Sequence, residues 1–266
     1  MNTRREILRG GLGLAGIIAA GKAPAAIVKS LVGANGAKNV EDEKKDYTAA
    51  DYVQDGLVSL FDGIENEGYG VHTDSNGPWV DLVSGDSYGK FQGRPYPERL
   101  EDGFAWHNEQ YVGFAATTSG SYIAASQIEV VLRVNYNQTA AVIQNSKTTG
   151  FKFCLANVDG QTVVPLQYGG NKACYAGTIG NKNSISINAE HGWTNGRETT
   201  FSTATRTGYG FNYWDRVSIV AYQMQNFNQQ PQYLDGDIHC IRLYNRVLSA
   251  SEIAYNYKID KARFGI

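Results

Sequence analysis

A β-strand presents residues i, i+2 and i+4 on one face, so two carboxylates at that spacing could flank and hydrolyse a glycosidic bond. Glu129 lacks such a partner, because positions i+2 and i+4 are Val131 and Arg133. Asp235 and Asp237 have the i, i+2 spacing, yet they flank Gly236, and Asp beside Gly reads first as turn chemistry. The histidines His72, His107, His191 and His239 stand beside no Gly-x-Ser-x-Gly elbow and no plausible thiol nucleophile. Cys154, Cys174 and Cys240 form no C-x-x-C pair and are too few for a disulfide scaffold. They read as three small buried hydrophobes, with a Cys154–Cys174 disulfide as the alternative. These residues argue against catalysis and leave a glycoside hydrolase as the third reading, behind two kinds of binding protein.

Binding chemistry is better supplied. Aromatic residues lie among Asn, Gly, Thr and Gln at Trp79, Trp106–Asn108, His191–Asn195 and Gly208–Trp214. A flat ring can stack on the apolar face of a sugar while amides and hydroxyls bond its hydroxyl groups. The candidate ligand-binding set is Trp106, Asn108, Trp193, Asn195 and Tyr209. The competing expectation is that these rings cap the edges of a core, since Trp is highly buried on average. Trp193 fits either role, and Trp214, just before a strand, fits the core. Asn137-Gln138-Thr139 matches a glycosylation sequon, a short pattern that chance also produces.

The elements that must position these residues are strands. Hydrophobic residues make up 42% of the 266, which is enough for a substantial core. Thirty glycines and 17 tyrosines against two methionines favour strands and turns over helices. Ile128, Val130, Leu132, Val134 and Tyr136 alternate with Glu129, Arg133 and Asn135, the period-two signature of a half-buried strand. Phe151, Phe153 and Leu155 repeat the pattern before Asp159-Gly160, a hairpin turn answered by Thr162-Val163-Val164. Gly56 to Gly63, Ser184 to Asn188, Arg216 to Gln223 and Asp237 to Tyr244 supply further strands. At the end of the chain, Ser249-Ala250-Ser251-Glu252 is a capping box, with Leu248 and Ile253 placed to form the accompanying staple. The spacing predicts one short helix starting at Ala250, with Ile253 and Tyr257 facing the strands.

The first residues read as an address. Arg4-Arg5, an apolar Gly/Ala run from Gly10 and the small-residue box Ala23-Pro24-Ala25 follow the order of a twin-arginine export signal over residues 1–33. An uncleaved N-terminal arm is the alternative. The run is too short for a permanent membrane span, which takes ~20 apolar residues. Residues 34–50 are polar, with Glu41 to Asp46 of mixed charge, and predict a solvated linker. Net charge is −2 and no long basic run exists, so no nucleic-acid partner is expected.

Gly236 to Ser249, with Arg242-Leu243-Tyr244-Asn245-Arg246 leading into Leu248-Ser249 and Glu252-Ile253, resembles the closing strand and helix of laminin-G-like jelly rolls. Asp55-Gly56-Leu57-Val58-Ser59-Leu60-Phe61 resembles the opening strand of that family, so the two motifs bracket residues 51–266. The resemblance implies an all-β, two-sheet antiparallel jelly-roll sandwich of the concanavalin A-like superfamily, closed by a short C-terminal helix. It implies a binding module for carbohydrate or another surface macromolecule, either exported to the periplasm or cell surface or displayed on a phage virion. A structural or adhesive domain with a protein partner, or self-association, is the alternative. Glucanases of the superfamily carry a Glu-x-Asp-x-x-Glu run, which this sequence lacks in its strands. Relatives often hold Ca²⁺ at a rim of the sandwich, and Asp62, Asp235 and Asp237 are the candidate ligands here.

Overall fold

The structure, a computed structural model, describes residues 46–65, 79–85, 87–88, 91–92, 98–107, 111–113, 125–145, 152–166, 172–201, 217–219 and 234–266. The signal or arm expected over residues 1–33 lies outside them, as do Asn108, Tyr209 and Trp214. In chain order the described elements are a 3₁₀ turn (Ala49–Asp51), then β1 (Leu57–Asp62), β2 (Trp79–Val80), β3 (Ser87–Tyr88), β4 (Phe91–Gln92), β5 (Glu98–Leu100) and β6 (Gly103–Trp106). Next come β7 (Tyr111–Gly113), β8 (Gln127–Val134), β9 (Ala140–Asn145), β10 (Lys152–Val158), β11 (Gln161–Pro165) and β12 (Ala173–Tyr175). The last are β13 (Lys182–Ile187), β14 (Gly192–Thr194), β15 (Arg197–Glu198), β16 (Thr200–Phe201), β17 (Val217–Ile219), β18 (Gly236–Tyr244) and the helix α1 (Ala250–Phe264).

Two antiparallel sheets face one another. The first runs β15-β14-β13-β8-β18-β6-β5, with β1 also paired to β18, and the second runs β16-β12-β11-β10-β9-β17-β7-β4. Alternation builds the core between them. Val130 and Ile241 from the first sheet and Phe153 and Leu155 from the second belong to one buried cluster. This is the all-β sandwich expected of the strand pattern. Asp159 and Gly160 both take positive φ, at 49° and 78°, as a tight two-residue hairpin turn requires. The edge strand β15 is two exposed charged residues long, which discourages pairing with another chain.

The outward face of the first sheet is not bathed in water. Helix α1 lies over it, together with the segment leading into β1. The capping box is present: Ser249 N–H donates to Glu252 Oε2 at 2.8 Å, and Glu252 N–H donates to Ser249 Oγ at 3.3 Å. Leu248 and Ile253 pack with Trp193 and Tyr244 beneath the first turns, as the staple predicts. Tyr47, Ala49, Tyr52, Ile259 and Phe264 cluster with Leu60, Val131 and Cys240. The end of the expected 34–50 linker is therefore part of the folded domain.

A polar network fastens this layer. Arg242, on the outward face of β18, is fully buried. Its Nη1 and Nη2 donate to the two carboxylate oxygens of Asp260 on α1 at 2.6 and 2.7 Å, and its Nε donates to Glu129 Oε2 on β8 at 2.8 Å. The guanidinium lies 4.1 Å over the Tyr52 ring, whose hydroxyl donates to Asp260 at 2.8 Å. Ser184 satisfies Asp260, Ser186 satisfies Glu129, and Asn256 joins Glu129 to the Tyr244 hydroxyl. Nearby, Arg263 clamps Asp62 at 2.6 and 3.0 Å and Glu65 at 2.9 Å. Period two placed Glu129 on the side away from the core; that side is covered rather than solvated.

A charge buried this deeply is tolerated only while its partners remain. Arg242→Ala is expected to lower unfolding free energy by ~3–5 kcal/mol in chemical denaturation, because Asp260 and Glu129 would be left buried and uncompensated. Burial pushes the Glu129 pKa up, and Arg242 offsets only part of that effect. A carboxyl whose folded pKa is raised stabilises most below its unfolded value, ~4.3, and loses that contribution as pH climbs through the folded value. Glu129→Gln, which cannot ionise, should therefore gain on the wild type as pH rises across that interval. Paired denaturation curves from pH 4 upward check this, and a gap that widens against the mutant would refute it.

Candidate functional site

The tryptophans chosen as sugar platforms are core residues. Trp106 is fully buried, and Trp193 is 8% exposed. Trp193 lies under the N-terminal end of α1 with Tyr244, Leu248 and Ile253. Asn195 has φ 52° and Gly196 φ 72°, so they form the tight turn between β14 and β15. The Asn195 side chain works structurally: its Oδ1 accepts from Ser184 N–H at 2.9 Å and its Nδ2 donates to Asn183 Oδ1 at 3.0 Å. Neither Trp106 nor Trp193 presents a ring face to solvent, because cross-strand pairing and the helix cover them.

The candidate metal ligands do not converge either. Asp62 is fully buried and held by both terminal nitrogens of Arg263, with Ile64 N–H and Glu65 N–H on its Oδ1. Asp237 lies 2.6 Å from Arg133 Nε. A calcium ion would have to displace a guanidinium from each of these acids, while Asp235 alone offers one carboxylate. Among the described residues, no group of three or more His, Cys, Asp or Glu side chains is arranged to hold a metal ion. Cys154, Cys174 and Cys240 are buried thiols, and no disulfide joins them.

His239 is a buried structural histidine. The register of β18 against β8 shifts between Ile238 and Cys240, and this bulge turns His239 toward Asp102, whose Oδ1 and backbone oxygen each lie 3.1 Å from Nδ1. Burial alone would raise the Asp102 pKa, but His239 and Lys182 outweigh it and hold the carboxyl well below the ordinary carboxylate range.

The described groups that do meet at an open surface lie at one rim of the sandwich. Gly236 of β18 pairs with Val134 of β8 on one side and with Trp106 of β6 on the other. Three neighbouring strands therefore end together: β6 leaves through His107, β8 leaves through Asn135, and β18 is entered through Asp235. A Cβ at Gly236 would stand 2.1 Å from the Arg133 carbonyl oxygen, so only glycine permits this close approach. Gln138 then clamps the Asp235 backbone, its Oε1 accepting from Asp235 N–H at 2.8 Å and its Nε2 donating to Asp235 O at 2.6 Å. Asn135 Nδ2 donates to Asp235 Oδ1 at 2.6 Å, and His107 Nδ1 lies 3.5 Å from the same oxygen. Thr162 Oγ donates to Asn137 Oδ1 at 3.1 Å, tying the turn to the β10–β11 hairpin, to which the Asn137 amide also donates through Gly160 O.

Tyr136, between Asn135 and Asn137, is 50% exposed. The sequence pattern placed it on the core face as the fifth alternating residue. The strand instead stops at Val134, and Tyr136 falls in the turn. The rim thus offers an exposed ring, a fixed carboxylate, an amide and an imidazole. Of these, Asp235 is a candidate from sequence as a metal ligand, and His107 lies in the Trp106–Asn108 stretch read there as binding chemistry.

No family model matches the chain, and no curated protein matches it. Among solved structures the chain is similar to the sialidase of Trypanosoma rangeli. A mutant of that enzyme displaying trans-sialidase activity aligns with a TM-score of 0.50 and 13% identity over 79% of this chain and 34% of that one. The complex with 2,3-difluorosialic acid aligns with a TM-score of 0.49 and 14% identity over 77% and 33%. An HCR/D mutant aligns at 0.45 and 11% identity over 76% and 52%. The chain spans about a third of the length of the sialidases it matches. At 13% identity the likeness shows a shared β-sandwich architecture and carries no substrate with it.

These placements separate stability from recognition. Trp193→Ala is expected to cost ~3–5 kcal/mol as a core truncation. Gln138→Ala, which removes the partner of Asp235 N–H and leaves its carbonyl only the longer bond from Asn135 N–H, should cost ~1–3 kcal/mol. Tyr136→Ala should fall within ~0.5 kcal/mol of the wild type, since its ring is half in water. Denaturant midpoints for the three variants test that ranking.

Proposed function

We propose that the chain is a non-catalytic recognition module of the laminin-G-like, concanavalin A-like kind. It binds a glycan at the rim built by His107, Asn135, Tyr136 and Asp235. The observation that carries the reading is the exposure of Tyr136, next in the chain to Asn135, whose amide bonds Asp235, while Gln138 holds the Asp235 backbone and the Tyr136 carbonyl. An aromatic face suits the C–H side of a pyranose, and a carboxylate with an amide suits its hydroxyls. Pre-organisation by Gln138 lowers the ordering cost that binding would otherwise incur. The jelly-roll assignment rests on the opening and closing sequence motifs together with the two-sheet sandwich and its capped terminal helix. Export to a periplasm or cell surface, or display on a virion, is the setting that the N-terminal sequence suggests.

A glycan array probed with the full chain tests this reading, run with and without Ca²⁺ and beside Tyr136→Ala. Specific binding that Tyr136→Ala reduces at least tenfold is expected. The binding should be indifferent to Ca²⁺, because Asp62 and Asp237 are already held by arginines. A blank array from folded protein would overturn the glycan reading in favour of a structural or adhesive domain with a protein partner. Binding unaltered by Tyr136→Ala would move the site elsewhere.

A further inference from the structure

We infer that His239 is a proton-operated bolt: in mild acid its Nε2 takes a proton from water and joins Asp237 to Asp102, tightening the first sheet beside the rim. The inference stands apart from the glycan reading. It rests on two buried atoms without hydrogen-bond partners among the described residues, His239 Nε2 and Asp237 Oδ1. Nε2 is 3.9 Å from Asp237 Oδ2, and neither side chain has more than slight access to water.

The placement of the ring fixes which nitrogen can take the proton. Gly103 admits the ring, since a Cβ there would stand 2.7 Å from His239 Nδ1 and 2.5 Å from the Ile238 carbonyl oxygen. Nδ1 then meets two acceptors, Asp102 Oδ1 and the Asp102 carbonyl oxygen, each at 3.1 Å, so Nδ1 carries a hydrogen and donates it. In a neutral imidazole the other nitrogen is therefore a bare acceptor, and a carboxylate too can only accept. Arg133 does not resolve this conflict. Its Nε is 2.6 Å from Asp237 Oδ2 but lies out of line for a hydrogen bond. A second proton on the ring turns two facing acceptors into a donor and an acceptor, and about 1 Å of closure then gives an ordinary charge-assisted hydrogen bond.

The charged groups around the ring favour that proton. The acids are Asp102 from the β5–β6 turn and Asp237 from β18 itself. The cations are Lys182 of β13, 2.5 Å from Asp102 and 3.1 Å from the Phe264 carbonyl oxygen, and Arg133 of β8, which pairs with Asp237. Their side chains are 31% and 39% exposed, so water screens the repulsion they exert on the ring. Helix α1 brings the Phe264 ring within 6.0 Å of the imidazole, and Arg263, 5.5 Å from the Phe264 ring, is held by Asp62 and Glu65. From β1 comes a backbone contact, Gly63 N–H donating to the His239 carbonyl oxygen. Against the effect of burial, His239 and Lys182 hold the Asp102 carboxyl well below the ordinary carboxylate range, so it stays ionised throughout mild acid.

A proton that the folded chain holds more tightly than the unfolded one stabilises the fold below the unfolded imidazole value of ~6.5, and the gain is lost as pH rises through the folded value. Imidazole nitrogen spectra of the isotope-labelled full chain, taken from about pH 8 to about pH 5.5, test this directly. His239 Nδ1 should be protonated throughout, and Nε2 should gain a hydrogen while the chain stays folded. Over the same interval the unfolding constant of the wild type should fall about fivefold relative to Asp237→Asn, whose amide can donate to the neutral ring. Other titrating groups are common to both proteins and cancel in that ratio. An Nε2 that stays unprotonated in the folded chain down to about pH 5.5 would overturn the inference. So would an acid response as large in Asp237→Asn as in the wild type. If Asp237→Asn does not fold, the wild-type spectra decide alone.

Discussion

Arg242 is a guanidinium with almost no access to water, and the arrangement of the outer layer follows from satisfying it. Its two ends require two carboxylates, one from the neighbouring strand at Glu129 and one from the helix at Asp260. Its flat face takes the Tyr52 ring. To meet those demands, α1 must lie on the sheet in one register, and the segment before β1 must pass beneath the helix. Breaking such a pair is far more costly than its net contribution to stability suggests, so the contact works chiefly as a specifier of geometry. Arg263 repeats the device at the other end of the helix with Asp62 and Glu65.

Sealing one face in this way shapes what remains available for recognition. Trp193 is covered by the helix, Asp62 and Asp237 are neutralised by arginines, and the β14–β15 hairpin rests against Tyr257. The rim where β6, β8 and β18 end is built on the opposite logic. Among the described residues it presents polar side chains and the exposed Tyr136, and its rigidity comes from a side-chain amide bonded to backbone. A rigid strand frame with an adaptable polar edge is the general division of labour between scaffold and loops.

Local signals were the legible ones. Ser249 with Glu252 fixed the start of the helix, Asp159-Gly160 fixed a hairpin, and the alternation from Ile128 to Val134 fixed the central strand. Asn195-Gly196 was an equally plain turn signal, yet the aromatic beside it drew a ligand reading instead of a hairpin. Period two separates the faces of a strand but says nothing of what covers each face, and Glu129 was expected in solvent for that reason. Tyr136 continued the alternation by residue type alone, whereas the strand ended where Gly236 admits the close approach of its neighbour. The pairing of Asp62 with Arg263 joins residues far apart in the chain, and no local pattern announces it. The rim was hidden for the same reason: His107, Asn135 and Asp235 become neighbours only through strand order.

The reading proposed above confines recognition to this rim. Titrating isotope-labelled protein with an oligosaccharide that it binds, and following backbone amide resonances, tests this most directly. The largest shifts should fall at His107, Asn135, Tyr136, Gln138 and Asp235, with the helix and the Trp193 hairpin unmoved. Shifts centred on Trp193 and Asn195, or spread along α1, would contradict the claim and return the site to the face that Arg242 seals.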